Sequence, residues 1–294
     1  MNRRLFIVTA AAGAAEVARA QRRGDAAVPD VIKNLKPMLD GVQPITDAER
    51  GVRIEKARRL MLQNKIGAIL CQGGSSLYYY TGVRGGPNTW VLPAKGEPAS
   101  FDPETGDAPY QRIARFLKSA AAGRVGIEER TPFLVLDGLR KELPAAEFVS
   151  ADPVTVGCRV IKSPAEIALL QRANDITIAA YKAAFQTLRE GMTQGELSAN
   201  IAAAYRGLGV QGNAMAIFGK YTAFPHGSIQ PQQLREGDMV LIDDGCSVEG
   251  YQSDITRTLS SASPPGARPR SGTWSARRRM PRWPRRSRAP HANP

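Results

Sequence analysis

Gly237-Asp238-Met239-Val240-Leu241-Ile242-Asp243-Asp244-Gly245, followed by Gly250-Tyr251-Gln252-Ser253-Asp254-Ile255-Thr256-Arg257-Thr258, is the stretch on which the reading of this chain turns. Two strand-like runs are separated by the segment from Gly245 to Gly250, so a hairpin is expected. A turn centred between Val248 and Glu249 sets Asp243 opposite Asp254, with Cβ atoms about 4.5–5.5 Å apart on one face. Two carboxylates placed this way repel, and one takes up a proton unless a cation lies between them. Hard oxygen ligands suit Mn²⁺, Mg²⁺ or Zn²⁺. Two such ions about 3.5–4 Å apart can share a hydroxide and hold a carbonyl oxygen for attack. Asp244 points to the other face and reads as a turn or surface residue. By pattern alone, two aspartates flanking a hairpin are more often a solvated turn than a metal site.

Upstream of the hairpin, Ser163-Pro164-Ala165-Glu166 is a capping box with proline at the first helical position. It opens a helix over 164–189 with an apolar stripe through Ile167, Leu170, Ala173, Ile176, Ala180 and Ala184. Thr193-Gln194-Gly195-Glu196 is a second capping box and opens a helix to about Leu208. Strands are expected over 214–218, 239–243 and 251–259, which makes this part α+β. The earlier part alternates. A helical pattern over 53–65 leads to a buried strand over 67–71, then strands over 77–81 and 89–92 on either side of the glycines Gly82, Gly85 and Gly86. A helix over 110–120, strands over 124–128 and 147–150, and a helix over 135–142 complete an α/β domain.

The formal net charge is +13, but the tail 261–294 holds nine arginines and no Asp, Glu or Lys. Subtracting those nine from +13 leaves +4 for all other residues, so the excess belongs to the tail. Beyond Ser260 the chain turns to Pro, Arg, Ser and Gly without an apolar period, and it is read as a disordered tail or as the product of a reading-frame change. Arg278, Trp274 and Trp283 there mimic a phosphate-plus-stacking surface, but nucleic acid is not the expected partner. Cys71, Cys158 and Cys246 are three widely spaced thiols, which implies no disulfide framework. No run approaches the roughly 20 apolar residues of a membrane span. At the N-terminus, Arg3-Arg4-Leu5-Phe6, a short Ala-rich run and Ala18-Arg19-Ala20 together fit a twin-arginine export signal over 1–20, with a linker over 21–45.

Asp-x-Gly, with Gly-Tyr-x-Ser-Asp-x-Thr-Arg-Thr placing its Asp eleven residues later, resembles the first two metal-ligand positions of the pita-bread metallopeptidases of family M24. Phe224-Pro225-His226-Gly227 is similar to that family's Pro-His-Gly segment. Ile161-Lys162-Ser163-Pro164-Ala165-Glu166 and Ser76-Leu77-Tyr78-Tyr79-Tyr80-Thr81-Gly82 resemble segments of its Xaa-Pro dipeptidase and aminopeptidase P branch. The resemblance implies a creatinase/prolidase-like α/β N-terminal domain over 46–158, followed by an incomplete α+β pita-bread domain over 159–260. It implies Asp243 and Asp254 as metal ligands, and His226 as the group that assists the substrate amide, a role suited to a pKa near neutrality. It also implies two divalent ions (Mn²⁺, with Zn²⁺ or Co²⁺ as alternatives) and hydrolysis of proline-containing peptides.

The chain departs from that pattern. The family uses a later His and two later Glu, whereas here the histidines are His226 and His291, and no Glu follows Glu249. The segment between Pro98 and Tyr110 also looks short for the branch. The expectation is a C-terminally truncated member with a partial site and little or no peptidase activity. Three other readings stay open: a metal-free hydrolase of the creatinase type that relies on His226, a non-catalytic binding or dimerisation module with a second copy of the chain as partner, and a nucleic-acid-binding tail.

Overall fold

The computed structural model describes residues 28–84, 89–102, 109–224 and 226–260. The export-signal reading of 1–20 and the tail reading of 261–294 lie outside the described residues, as do Gly85, Gly86 and Pro225. The chain divides into two compact units. Of the described residues, one unit takes those within Pro37–Thr177 together with Gly245–Ser253, and the other takes 28–36, Ile178–Asp244 and 254–260.

The first unit is built on β1 (Ala68–Gln72), whose residues 68–71 are fully buried. A continuous apolar run is what a strand covered on both faces requires, and helices on the two faces of the sheet supply the covers. Its order is β3-β2-β1-β4-β5, where β2 is Thr89–Pro93, β3 is Ala99–Phe101, β4 is Arg124–Ile127 and β5 is Glu147–Ser150. Strands β1, β4 and β5 run parallel, while β2 and β3 pair antiparallel. Alternate residues of β1 go to opposite faces. Ile69 and Cys71 pack with Met61 of α2 (Asp47–Gln63), with Leu77 and Tyr80 of α3 (Gly74–Thr81), and with Val154 and Cys158 of α6 (Asp152–Arg159). Ala68 and Leu70 pack with Ile113 and Leu117 of α4 (Pro109–Ser119), and with Val135 and Leu139 of α5 (Phe133–Glu142). Full burial of Ile69 and Leu70 stabilises by about 1.5–3 kcal/mol each.

The strand expected over 77–81 is a helix, α3. Aromatic and β-branched residues favour strands, but here the buried residues Ser76, Leu77, Tyr79 and Tyr80 cluster on one helical face. Tyr80 stacks on Trp90 at 5.3 Å, and Tyr79 meets Tyr80 edge-on at 5.1 Å. Gly82 then ends the helix in the left-handed region, its amide donating to the Tyr78 carbonyl at 2.8 Å. Helix α6 and strand β3 were not foreseen, although Asp152-Pro153 is a helix-start signal that reads α6 correctly.

At the C-terminal end of β4 the buried Ser76 hydroxyl donates to Glu128. Burial pushes the Glu128 carboxyl above its ordinary 4.5, and the serine bond only partly offsets this. A carboxyl raised on folding favours the fold while protonated, and that contribution is lost as pH climbs from about 4.5 through the folded value. The variant Glu128→Gln mimics the protonated form. Its urea midpoint, relative to the parent, is expected to rise between pH 4 and pH 7. A difference that stays constant across that window would contradict the assignment.

The long helix α7 (Pro164–Phe185) opens on the expected capping box. Ser163 N donates to Glu166 Oε2 at 2.9 Å, and Glu166 N donates to Ser163 Oγ at 3.3 Å. The helix ends four residues before Arg189, where i to i+3 bonds at Gln186, Thr187 and Leu188 tighten the chain into Gly191.

In the second unit, α1 (Asp30–Lys33) and the segment after it meet α8 (Gln194–Gly207) at Gly207, which lies against Ile32 and Leu35. Helix α8 opens on the capping box of Thr193 and Glu196. A three-stranded antiparallel sheet of order β10-β7-β6 follows, with β6 Met215–Phe218, β7 Met239–Asp243 and β10 Arg257–Ser260. The expected strand over 251–259 is interrupted. Tyr251–Gln252 forms β9, pairing with β8 (Ser247–Val248) in the first unit, and residues 253–256 are irregular. Among the described residues no helix is long and apolar enough to cross a membrane.

Candidate metal centre

Asp243 ends β7, the central strand of its sheet. Val240 and Ile242 are fully buried there, while Asp243 is half-buried. The register is Ile242 to Arg257, Leu241 to Thr258 and Val240 to Leu259. Continued by one residue, it sets Thr256 across from Asp243, and the Thr256 hydroxyl does donate to Asp243 Oδ1. The expected pairing of Asp243 with Asp254 is therefore corrected. The turn is centred one residue later, on Glu249 (φ 45°) and Gly250 (φ 80°), so every partner moves by two. Positive φ at both central residues is what a two-residue hairpin turn demands, and Gly250 meets that demand where Val248 does not. A Cβ on Gly250 would also lie 2.3 Å from the Tyr78 ring.

Between the carboxylates the chain is held at several points. Asp244 is exposed, as expected of a turn residue, and has φ 131°. Its carbonyl accepts from the Tyr181 hydroxyl at 2.9 Å and from the Ile255 amide at 3.1 Å. Ser253, buried immediately before Asp254, has its hydroxyl 2.7 Å from Thr177 Oγ1 and accepts from the Cys246 amide at 2.9 Å. Asp254 itself is exposed. Asp238 closes the turn before β7, accepting from the Arg235 amide at 2.9 Å. His226 is exposed in the connection from the 3-10 turn Gly219–Ala223 to β7. Next to it Gly227 (φ 68°) packs on Ile217, and Phe224 and Ile229 are 56% and 99% exposed.

Asp243 and Asp254 are hard oxygen donors, which fit a divalent ion in kind. Among the described residues no group of three or more His, Cys, Asp or Glu is gathered to hold a metal. The two aspartates therefore match a divalent ion in donor type alone.

A second polar cluster escaped the sequence reading. Arg53, 4% exposed, lies on the buried stripe Arg53, Ala57 and Met61 of α2. Its Nη2 donates to Glu49 at 2.9 Å and to the Tyr251 hydroxyl at 3.0 Å, and Nη1 donates to the Tyr79 carbonyl at 2.9 Å. Tyr251 donates in turn to Glu166 Oε1 at 3.1 Å, and the Ser163 hydroxyl donates to Glu49 at 2.6 Å. With the capping bonds between Ser163 and Glu166 this closes a ring of five side chains, all in the first unit. Burial pushes the Tyr251 phenol up to about 12, so it remains a donor at neutral pH. The available signal was a charged residue at i relative to apolar i+4 and i+8. A buried arginine needs partners.

Residues 53–161 match the Creatinase/Prolidase N-terminal domain, and residues 168–271 match Metallopeptidase family M24. The Xaa-Pro dipeptidase of Pyrococcus horikoshii is 28% identical over 228 residues, covering 72% of this chain and 65% of that protein. The Xaa-Pro aminopeptidase of Escherichia coli is 37% identical over 126 residues, covering 42% of this chain and 29% of the other. Among solved structures, dipeptidase PepE from Mycobacterium ulcerans superposes with a TM-score of 0.66 at 27% identity, covering 76% of this chain and 68% of that one. The chain thus spans 60–66% of the length of the curated relatives that it matches over most of its own length.

Proposed function

Because the chain belongs to metallopeptidase family M24, in the branch that carries a creatinase/prolidase N-terminal domain ahead of a pita-bread domain, we propose that it is built for hydrolysis of the peptide bond beside proline. The observation that carries this reading is the pair Asp243 and Asp254, at the two ends of one hairpin segment within the M24 match. In the proposal these carboxylates hold one divalent ion, with manganese the first choice. Such an ion supplies Lewis acidity toward a carbonyl and a lowered pKa for water. The Thr256 hydroxyl orients Asp243 by occupying one of its oxygens. The backbone bonds of Ser253 and Ile255 restrict where Asp254 projects. His226, exposed on its loop, is the group proposed to donate a hydrogen bond to the substrate amide. Proline-containing peptides are the proposed substrates.

The reading is tested by Mn²⁺ titration of the 294-residue chain, followed by electron paramagnetic resonance. Weak uptake is expected, and Asp243→Asn and Asp254→Asn should each abolish it. Uptake unchanged by both variants would overturn the assignment. With no third donor gathered among the described residues, turnover of an Xaa-Pro dipeptide by this chain is expected to stay below detection. Robust manganese-dependent cleavage would refute the two-donor site. A second reading, a non-catalytic binding module, is favoured by the lack of a third donor among the described residues. It predicts a folded chain that takes up no metal.

A further inference from the structure

Helices α2 and α6 of the first unit share an outer face that combines unmatched cations with bare aliphatic side chains. Three arginines of α2 are matched by acids of the same helix: Arg50 by Asp47 at 2.7 Å, Arg53 by Glu49 at 2.9 Å and Arg58 by Glu55 at 2.6 Å. Lys56 and Arg59 pair with no carboxylate among the described residues. They follow Val52 at spacings of four and three, which sets the three side chains on one stripe of α2. That stripe borders α6. Lys56 Nζ donates to the Cys158 carbonyl at 2.8 Å, and Leu60 lies 3.3 Å from where a Cβ on Gly157 would stand. Just past α6, Lys162 Nζ donates to the Arg159 carbonyl at 2.7 Å, and it too meets no carboxylate among the described residues. Neither 56–63 nor 156–162 contains an Asp or a Glu. Beside these cations Val52, Val156, Val160 and Ile161 are 66%, 46%, 64% and 75% exposed. Aliphatic residues exposed singly are ordinary on a protein surface, but four of them grouped with three unmatched cations call for a partner.

Charge decides what that partner is. The other segments of the chain do not suit the face, because 261–294 carries nine arginines and no acid, and 1–27 carries five arginines against Glu16 and Asp25. A second copy presenting the same face would set cation against cation. The partner is therefore a different, anionic molecule. Neither 52–63 nor 156–162 holds an aromatic residue on which a nucleic-acid base could stack. An anionic phospholipid surface supplies what both kinds of side chain need: phosphates for the cations and an acyl boundary for the aliphatics. We infer that the α2–α6 face is a docking surface for an anionic phospholipid bilayer, bound from one side without crossing it. Lys56 spends one N–H on Cys158 and keeps two for phosphate oxygens, while Arg59 and Lys162 are exposed. Each Lys or Arg held near such a surface strengthens binding roughly fivefold. The inference is independent of the peptidase reading above.

The test must separate this face from the arginine-rich segment 261–294, which adsorbs to anionic vesicles by charge alone. Cys71, Cys158 and Cys246 are all buried, so a thiol-reactive, environment-sensitive dye goes to a cysteine introduced on the surface. In the full chain, Val160→Cys carries the dye on the face, and Leu134→Cys carries it on α5 as the control, at a residue 70% exposed. Vesicles of phosphatidylcholine containing phosphatidylglycerol should shift the emission at 160 to the blue, and added salt should reverse the shift. The emission at 134 should stay that of water. Arg59→Gln with Lys162→Gln should weaken the binding seen from 160 roughly twenty- to thirtyfold. A shift at neither position, or an equal shift at both, would overturn the docking surface, since adsorption through 261–294 does not single out residue 160. A shift at 160 that pure phosphatidylcholine gives equally, or that the two glutamine substitutions leave unchanged, would overturn the role of the cations. A response at 160 to polyglutamate or duplex DNA, but not to vesicles, would overturn the bilayer in favour of an acidic protein or a nucleic acid. If Val160→Cys does not fold, Ile161→Cys carries the dye, with the same outcomes.

Discussion

Replacing Arg53 with methionine should lower the unfolding free energy of the chain by about 3–5 kcal/mol, the cost of removing one partner from a buried ion cluster. Methionine keeps most of the apolar stem on the buried stripe that also holds Ala57 and Met61, so the loss reports on the guanidinium. What goes with it is specific: the bonds to Tyr79, Glu49 and Tyr251, the pairing with Glu166 at 3.7 Å, and the position 4.2 Å over the Tyr79 ring. What remains is worse than what goes, because Glu166 stays 3% exposed with no cation beside it. The double variant Arg53→Met, Glu166→Gln should recover part of the loss, and a double-mutant cycle by urea unfolding would give the coupling. A single-variant loss below about 1 kcal/mol would put the cluster in the class of exposed ion pairs and contradict its burial.

The second large effect is expected at Gly245. A Cβ built there lies 2.2 Å from the Ser253 carbonyl oxygen and 2.4 Å from its hydroxyl. The nearer obstacle is backbone, which cannot rotate away, so Gly245→Ala must spread the foot of the hairpin. Overpacking of this kind costs about 1–3 kcal/mol, and more where backbone has to move. Separation of Gly245 from Ser253 also breaks the Cys246 amide bond to the Ser253 hydroxyl. The fold should therefore be destabilised, together with a loss of exchange protection at Cys246 and Ser253. Gly195→Ala is the matched control. Its Cβ would meet nothing nearer than 3.9 Å, within the first turn of α8, and a small stabilisation of about 0.4–1 kcal/mol is expected there. Two alanines of equal size with opposite signs would locate the cost at the hairpin foot.

Much of the fold was legible because its signals are local. The fully buried run of β1, the two capping boxes and the bounds of β7 are each written within a few residues of where they act. The misreadings share a different cause. Leu77 to Thr81 carries strand-forming residue types, yet packing of Tyr80 on Trp90 decides for a helix. The turn centre was misplaced by one residue because glycine's tolerance of positive φ at 250 outweighed the symmetry of the flanking runs. That single residue moved Asp254 off its partner and put Thr256 in its place. The Arg53 ring was invisible for a third reason. Its members are separated by 114 and 198 positions, and no local pattern names a partner at that distance.

Those separations carry a consequence for the order in which the polypeptide is made. Every strand of the five-stranded sheet lies before residue 151, so the ribosome delivers the whole of that sheet early. Arg53 is then in place among apolar neighbours, and the hydroxyl that completes its coordination is still 101 residues beyond Ser150 (251 − 150). At about 5–20 residues per second, synthesis leaves an interval of roughly 5–20 s. During that interval the nascent domain holds a cation that is only partly satisfied. Pulse proteolysis of ribosome-bound chains stalled before and after Tyr251 should record this as a late, discrete gain in resistance of α2, arriving long after the sheet beneath it is complete.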